Sequence, residues 1–456
     1  MKARLSNQLK LSQVPETIHS ELVRRLQFPN PKYIENQRMG RWNKGTPKVL
    51  RFYRRVGQNG LYVPRGLMRQ VILMGRRIGE SVEIDDRRRV CPPVDFVFNG
   101  NLKPFQQTAV DIMMAKDFGT LNAPTGSGKT VMALYMTALR RQPTLVVVHT
   151  RDLALQWIER IHRFLGIDKD LIGMIGSGRK QMGESITVAL VQTLYKYAAE
   201  AAAHVGHLIV DECHRAPSRT FTEAVTAFDS KYMLGLSATP WRRDQLSRLI
   251  FWHLGDVHHE ISKSHLVSNG DILDVEIVVR ETQFAPYYDP VNEYSKMLSE
   301  LTVDDQRNRL IAADVANEVL SRKRSAGICL VLSDRKRHCE TMQSMLKHKY
   351  HIEAHMITGD LTAAQRQGVM DQLQQGKVKV LIATGQLIGE GFDHPGLATL
   401  FLATPVRFSG RVLQYLGRVL RPVDGIERAR VYDYVDIRVA PLVAAAKARQ
   451  RVYGKS

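Results

Sequence analysis

Short, uniformly apolar runs punctuate most of this chain. "TLVVVHT" (144–150), "ITVALVQT" (186–193), "HLIVDE" (207–212) and "YMLGLSAT" (232–239) are separated by stretches of helix length. A run of about five consecutive apolar residues has no polar face to turn to water, so it predicts a strand of a parallel sheet covered on both sides by helices. The rhythm breaks over about 275–310, where "ETQFAPYYDPVNEYSKMLSELTVDDQRNRL" is polar, aromatic and acidic. It resumes with "GICLVLS", "EAHMITG", "KVLIAT", "TLFLAT" and "ARVYDYV". Two similar α/β domains in tandem are expected, at 96–275 and 311–440, joined by a connector at 276–310. A short basic helix or tail at 441–456 would follow.

The first 95 residues lack this texture and read as an irregular basic region. "NPKYIENQRMGRWNKGTPKVLRFYRR" interleaves Tyr33, Trp42, Phe52 and Tyr53 with cations, and "LYVPRGLMRQVILMGRR" predicts a strand, a turn at Pro64-Arg65-Gly66 and a short amphipathic helix. "CPPVDFVFNGNLKP" reads as a linker, because Pro92-Pro93 can continue neither a helix nor a central strand.

Charge sharpens this division. The 456 residues carry a formal net charge of +20. Residues 1–100 hold 20 Lys/Arg against 8 Asp/Glu, so twelve of those charges lie there. Such an imbalance speaks to partners rather than fold, and a phosphate polyanion is the partner it favours. The aromatics of residues 1–95 are equally consistent with a small core and with an accessory DNA-contacting domain. The four cysteines (Cys91, Cys213, Cys329, Cys339) form no CxxC pair and no disulfide framework. The start has no apolar signal region and no run reaches the ~18 residues of a membrane span. A soluble, cytoplasmic protein is expected.

Two motifs carry chemistry. "APTGSGKT" (Ala123 to Thr130) keeps the G-S-G-K-T core of a phosphate-binding loop, with Ala123 at the first glycine position. A strand-like "FGTLNA" precedes it and a helical "VMALYMTALRR" follows. In such a loop, backbone N–H groups from Thr125, Gly126, Ser127 and Gly128 cradle phosphates at a helix N-terminus. Lys129 would reach the β- and γ-phosphates of ATP, and the Thr130 hydroxyl would ligate Mg²⁺. "DECH" places Asp211 and Glu212 at the carboxyl end of an apolar strand, where open α/β sheets put their ligand groups. Asp211 would hold Mg²⁺, directly or through water, and Glu212 would orient the attacking water. Zinc needs more soft donors than Cys213 and His214 provide. Cys213 is a packing residue by this reading, and His214 is either a coupling relay or a loop histidine, with the pairing to Lys129 favouring the relay.

Together these segments resemble the superfamily 2 DEAD/DEAH-box helicases, and "DECH" is a variant of that box. "LKPFQQ", "VVVHTRDLALQW", "ALVQTL" and "GLSATPWRRD" resemble further motifs of the first half. "LVLSDR", "ITGD", "IATGQLIGEGFDHP" and "QYLGRVLR" resemble those of the second. The resemblance covers about 100–440, in the right order, and points to the branch of XPB, UvsW and type III restriction enzymes. It implies two RecA-like domains with ATP between them, and Gln106 reading the adenine. Thr150, Arg151, Gln192, Thr193, Ser333 and Thr384 would face nucleic acid, and Ser237 and Thr239 would couple strand binding to hydrolysis. Gly391 and Asp393 would lie beside the nucleotide. Gln414 and the arginine fingers Arg418 and Arg421 would complete catalysis; Arg418 and Arg421 are three apart in a predicted helix and so share a face. The function so implied is an ATP-dependent DNA helicase or translocase. An RNA helicase, and an ATP-gated clamp or motor subunit of a restriction complex, are the alternatives.

Overall fold

The computed structural model describes residues 1–213, 219–238, 247–321, 327–385, 396–406, 415 and 428–453. They form two compact units, one of residues 1–123 and 128–261, the other of 262–456 together with 124–127.

The apolar runs of the first unit do form one sheet. Its strands lie in the order Arg179–Gln181, Gly173–Gly176, Ile186–Leu190, Thr144–Val148, His207–Val210, Tyr232–Ser237, Phe118–Asn122, Val257–Glu260. Every pairing is parallel except the edge hairpin of the first two. Thr144–Val148 and His207–Val210 are buried along their whole length, as their lack of alternation requires. Helix Arg151–Leu165 begins where the Thr150 hydroxyl accepts from the Leu153 N–H, and ends at Gly166 in the left-handed region. It buries Ala154, Trp157, Ile161 and Leu165, a single stripe at helical spacing.

Residues 1–86 are not irregular. They build a five-stranded sheet in the order Arg54–Val56, Gly60–Pro64, Gln8–Ser12, Lys2–Leu5, Glu83–Asp86, backed by helices Glu16–Arg25 and Met68–Arg77. The strands alternate: Ala3, Leu5, Leu9, Leu11, Leu61 and Val63 point inward while Lys2, Arg4, Lys10 and Tyr62 point out. Period-2 strands with one wet face contain no apolar run, which is why composition alone made this region look unstructured. Its core is shared with the large sheet's domain, since Leu249 and Trp252 pack into the same cluster. Phe52 and Phe28 meet Trp252 at ring-centroid distances of 5.5 and 6.2 Å, whereas Trp42 is 85 % exposed. Buried Arg65 donates to the Ser230 carbonyl at 2.9 Å, and Arg89 grips Asp229 through two hydrogen bonds. At Gly66 a Cβ would come within 2.2 Å of the Phe251 carbonyl oxygen, so only glycine permits this approach. The basic region is thus an integral layer of the first unit.

The second unit carries an all-parallel sheet in the order Asp274–Thr282, Arg428–Asp436, Leu397–Leu402, Ile328–Ser333, Val380–Thr384, Ala354–Ile357. The stretch 276–310, read as a connector, therefore opens as a strand of this sheet. As an edge strand it pairs on one side only and stays half exposed, so it needs no apolar run. Buried Arg307 ties it in: its guanidinium donates to Asp436, which also accepts from the Thr282 hydroxyl. The basic C-terminal stretch is a docked helix, Ala440–Tyr453, rather than a loose tail. Arg449 forms a fully buried ion pair with Asp433, and the Tyr453 hydroxyl donates to the same carboxylate.

Candidate functional site

The phosphate-loop motif sits where the sequence placed it, between strand Phe118–Asn122 and helix Lys129–Arg140. Gly126 and Gly128 hold φ of +92° and +84°, angles that L side chains avoid. A Cβ at Gly128 would also lie 2.4 Å from Gln106 Nε2, so that side chain would have to move. Gln106 is buried beside the loop's last glycine, its side-chain oxygen accepting from the Lys103 N–H at 2.9 Å. Ser127 Oγ closes the loop on the Pro124 carbonyl at 2.7 Å, and Lys129 Nζ donates to the Ala123 carbonyl at 3.0 Å. Helix Lys129–Arg140 has Gly128 at its N-cap, which brings no side chain of its own to the positive end of the dipole, an end that suits an anion.

Asp211 and Glu212 follow strand His207–Val210 directly. Asp211 is buried; its Oδ1 accepts from the Glu212 N–H at 2.9 Å, and its Oδ2 from the Trp157 indole N–H at 2.8 Å. Burial pushes the Asp211 carboxyl up from its usual range and the Glu212 charge adds to this, while Trp157 and Lys129 pull it down. Glu212 adopts φ of +49°, a left-handed conformation that costs a non-glycine residue about 1 kcal/mol or more. Cys213 lies inside the core with its thiol pushed up by burial, a packing residue and no nucleophile.

Sheet register gathers the other sequence-derived residues of the first unit. Ile186–Leu190, Thr144–Val148, His207–Val210, Tyr232–Ser237 and Phe118–Asn122 are five adjacent parallel strands. At their carboxyl ends stand, in that order, Gln192 and Thr193, Thr150 and Arg151, Asp211 and Glu212, Ser237, and the phosphate loop. Gln192 Nε2 donates to the His149 carbonyl at 2.9 Å, joining the first two of these turns. Ser237 is fully buried, and its carbonyl accepts from the Ala123 N–H at 2.9 Å.

In the second unit, Ser333 and Thr384 end neighbouring strands in register. Ser333 corrects the sequence reading. It is 1 % exposed, and its hydroxyl accepts from the Arg335 N–H and meets His338 Nδ1, so it builds the turn after its strand instead of facing a ligand. His214, Thr239, Gly391, Asp393, Gln414, Arg418 and Arg421 lie outside the described residues.

Residues 99–242 match the model of the type III restriction enzyme res subunit, and residues 311–423 match that of the helicase conserved C-terminal domain. The chain belongs to the superfamily 2 helicases. Its branch is that of XPB, UvsW and the type III restriction subunits. The helicase is 27% identical over 354 residues to the DNA 3'-5' translocase XPB2 of Sulfurisphaera tokodaii, covering 71% of this chain and 79% of the relative. It is 22% identical over 440 residues to the ATP-dependent DNA helicase uvsW of Enterobacteria phage T4, covering 89% and 83%. A relative from Acanthamoeba polyphaga mimivirus, 27% identical over 446 residues (93% and 78%), carries the name "Putative ATP-dependent RNA helicase L396". Among solved structures, an HsdR fragment of a type I restriction enzyme from Vibrio vulnificus aligns with TM-score 0.56 at 18% identity, covering 77% of this chain and 66% of that one. S. cerevisiae Dbp5 bound to RNA and ADP BeF3 aligns with TM-score 0.54 at 15%, covering 78% and 88%. These two likenesses confirm the fold of two RecA-like domains.

Two side chains of this helicase escaped the sequence reading. Trp157 holds Asp211, and Arg160 Nη1 donates to Thr130 Oγ1 at 2.6 Å. The only available signal was their spacing of three within a helical pattern, which says that they share a face but not what the face touches. The donor set itself suits Mg²⁺: a hydroxyl oxygen on Thr130 and a buried carboxylate on Asp211. Among the described residues no helix is long and apolar enough to cross a membrane.

Proposed function

We propose that this helicase is a nucleic-acid-stimulated ATPase that moves on, or remodels, duplex or branched DNA. The observation that carries this reading is the row of residues along one edge of the first sheet. Phosphate loop, acid pair and strand-contact candidates occupy the ends of five adjacent strands, the arrangement that coupling of hydrolysis to strand contact requires. In the proposed mechanism Lys129 leaves the Ala123 carbonyl for the β- and γ-phosphates of ATP. Thr130 and Asp211 would hold Mg²⁺, which would screen the phosphate charge. Glu212 takes the proton of the attacking water. Gln106 binds the adenine, with Gly391 and Asp393 beside the nucleotide. Arg418 and Arg421 supply charge to the departing phosphoryl group, a contribution of ~10³–10⁵ in rate where arginine fingers act, and Gln414 assists. His214, Ser237 and Thr239 pass the change to Thr150, Arg151, Gln192, Thr193 and Thr384 on the nucleic-acid strand.

DNA is favoured over RNA by two relatives, whose names are a DNA translocase and a DNA helicase. The N-terminal sheet supports an accessory contact: Arg54, Tyr62, Lys10 and Arg4 stand opposite one another across four strands of its outer face, with Asp85 beyond them. Cations flanking an aromatic ring suit a phosphate backbone. Displacement of a third strand from a DNA triplex tests translocation. Displacement is expected with ATP, and none with a nonhydrolysable analogue or with Lys129→Ala. Displacement that proceeds equally well with the analogue would contradict the coupling.

A further inference from the structure

Helix Arg151–Leu165 carries two donors to which the mechanism above gives no task. Trp157 and Arg160 lie three residues apart and so project from one face. From that face the indole N–H reaches Asp211 Oδ2, and the guanidinium reaches Thr130 Oγ1. Asp211 and Thr130 are the two side chains assigned above to Mg²⁺, so one helix holds both ligand oxygens.

The two grips differ in kind. Trp157 is 1 % exposed and neutral; it takes one lone pair of a carboxylate that has about four, the Glu212 N–H takes a second, and the rest are left for a cation. Trp157 fixes the direction in which Asp211 points without competing for its charge. Arg160 is half-buried and positively charged. Its 2.6 Å bond is made to the oxygen that a metal would ligate at ~2.1 Å, which would leave a divalent cation within about 5 Å of a guanidinium. Like charges at that separation on a partly buried oxygen repel, so each weakens the other's hold on it.

We propose that Arg160 is a stand-in cation: it holds the Thr130 hydroxyl until Mg²⁺ displaces it. Trp157 is a positioning residue that keeps Asp211 aimed at the metal throughout. The proposal rests on the reading of Thr130 and Asp211 as the metal ligands. Its consequence is a handover, in which the site pays for losing one cation whenever it gains another, so that bare Mg²⁺ is held weakly and charging of the site is tied to the nucleotide.

The test is equilibrium binding of a fluorescent ADP analogue to the full-length protein, with Mg²⁺ and with EDTA. The ratio of the two affinities isolates the metal's share. Arg160→Ala and Arg160→Gln remove the charge and are expected to raise this ratio about tenfold with the EDTA affinity unchanged. Arg160→Lys keeps the charge and is expected to match wild type, which separates charge from packing. Trp157→Phe is expected to lower the ratio several-fold. An unchanged or lower ratio in both neutral Arg160 variants overturns the handover. So does a loss of affinity in EDTA, which would make Arg160 a phosphate ligand. Thr130→Ala separates the two levels: a ratio that survives it refutes Thr130 as a metal ligand, whereas its collapse with no Arg160 effect refutes only the handover.

Discussion

Lys129 and Glu212 stand a few residues from strand ends that the apolar pattern alone locates, yet their proposed tasks separate cleanly in experiment. Lys129→Ala is expected to weaken ATP binding and abolish turnover. Glu212→Gln keeps shape and burial but removes the base, so it is expected to bind ATP and lose about 10²–10⁴ in turnover. Rapid-quench hydrolysis beside equilibrium binding distinguishes them, and a Glu212→Gln protein with normal turnover would exclude the assigned base. These residues were legible because a phosphate loop and an acid pair are local, with spacing dictated by the ligand. Trp157 and Arg160 were not. Their partners lie 54 and 30 residues away, and only the packing of helix against sheet brings them together. Ser333 failed in the opposite sense. A serine at a strand end looks available to a ligand, but this one is consumed by the turn that follows it.

Among elements, the strands buried on both faces were visible and most half-exposed ones were not. An apolar run is a strong signal, whereas "KARL" and "QLKLS" carry two inward residues each and declare themselves only once paired; Gly60–Pro64 is the exception, its strand, turn and following helix being legible in "LYVPRGLMRQVILMGRR". Edge strand Asp274–Thr282 was hidden for the same reason. The C-terminal helix gives a sharp test of docking. Arg449 and Asp433 are each 2 % exposed, so Arg449→Ala strands a buried carboxylate and is expected to cost about 3–5 kcal/mol in the second unit. Urea denaturation followed by circular dichroism measures it; a loss below ~1 kcal/mol would mean the helix is not held by this pair. Gly66→Val should likewise loosen the N-terminal layer from the helix that carries Trp252, because its first side-chain atom would enter a backbone carbonyl.

At the scale of the whole molecule, charge and titration govern behaviour. Deleting residues 1–95 would strip the cover from Leu249 and Trp252, so the N-terminal contact is better tested on its outer face. Replacing Lys10 and Arg54 with Glu is expected to weaken DNA binding and flatten its salt dependence while stability stays unchanged; equal affinity would remove that layer from the interface. Burial lowers His207, sets His253 at about 4 and His338 at about 3. Below the ordinary histidine value near 6.5 the unfolded chain takes up protons that these native residues refuse. Stability is therefore present above that value and is lost as pH falls toward 4, the raised Asp211 opposing this in part. A denaturation midpoint that is no lower at pH 5 than at pH 7.5 would contradict this balance.

In the proposed function, hydrolysis at the Lys129–Asp211–Glu212 site is driven by DNA. Steady-state ATPase measured side by side on single-stranded, duplex and forked DNA and on RNA tests it most directly, with Glu212→Gln as the blank. Stimulation by DNA above RNA, lost in the variant although it still binds ATP and DNA, is the expected result. Turnover indifferent to nucleic acid, or raised by RNA alone, would contradict it.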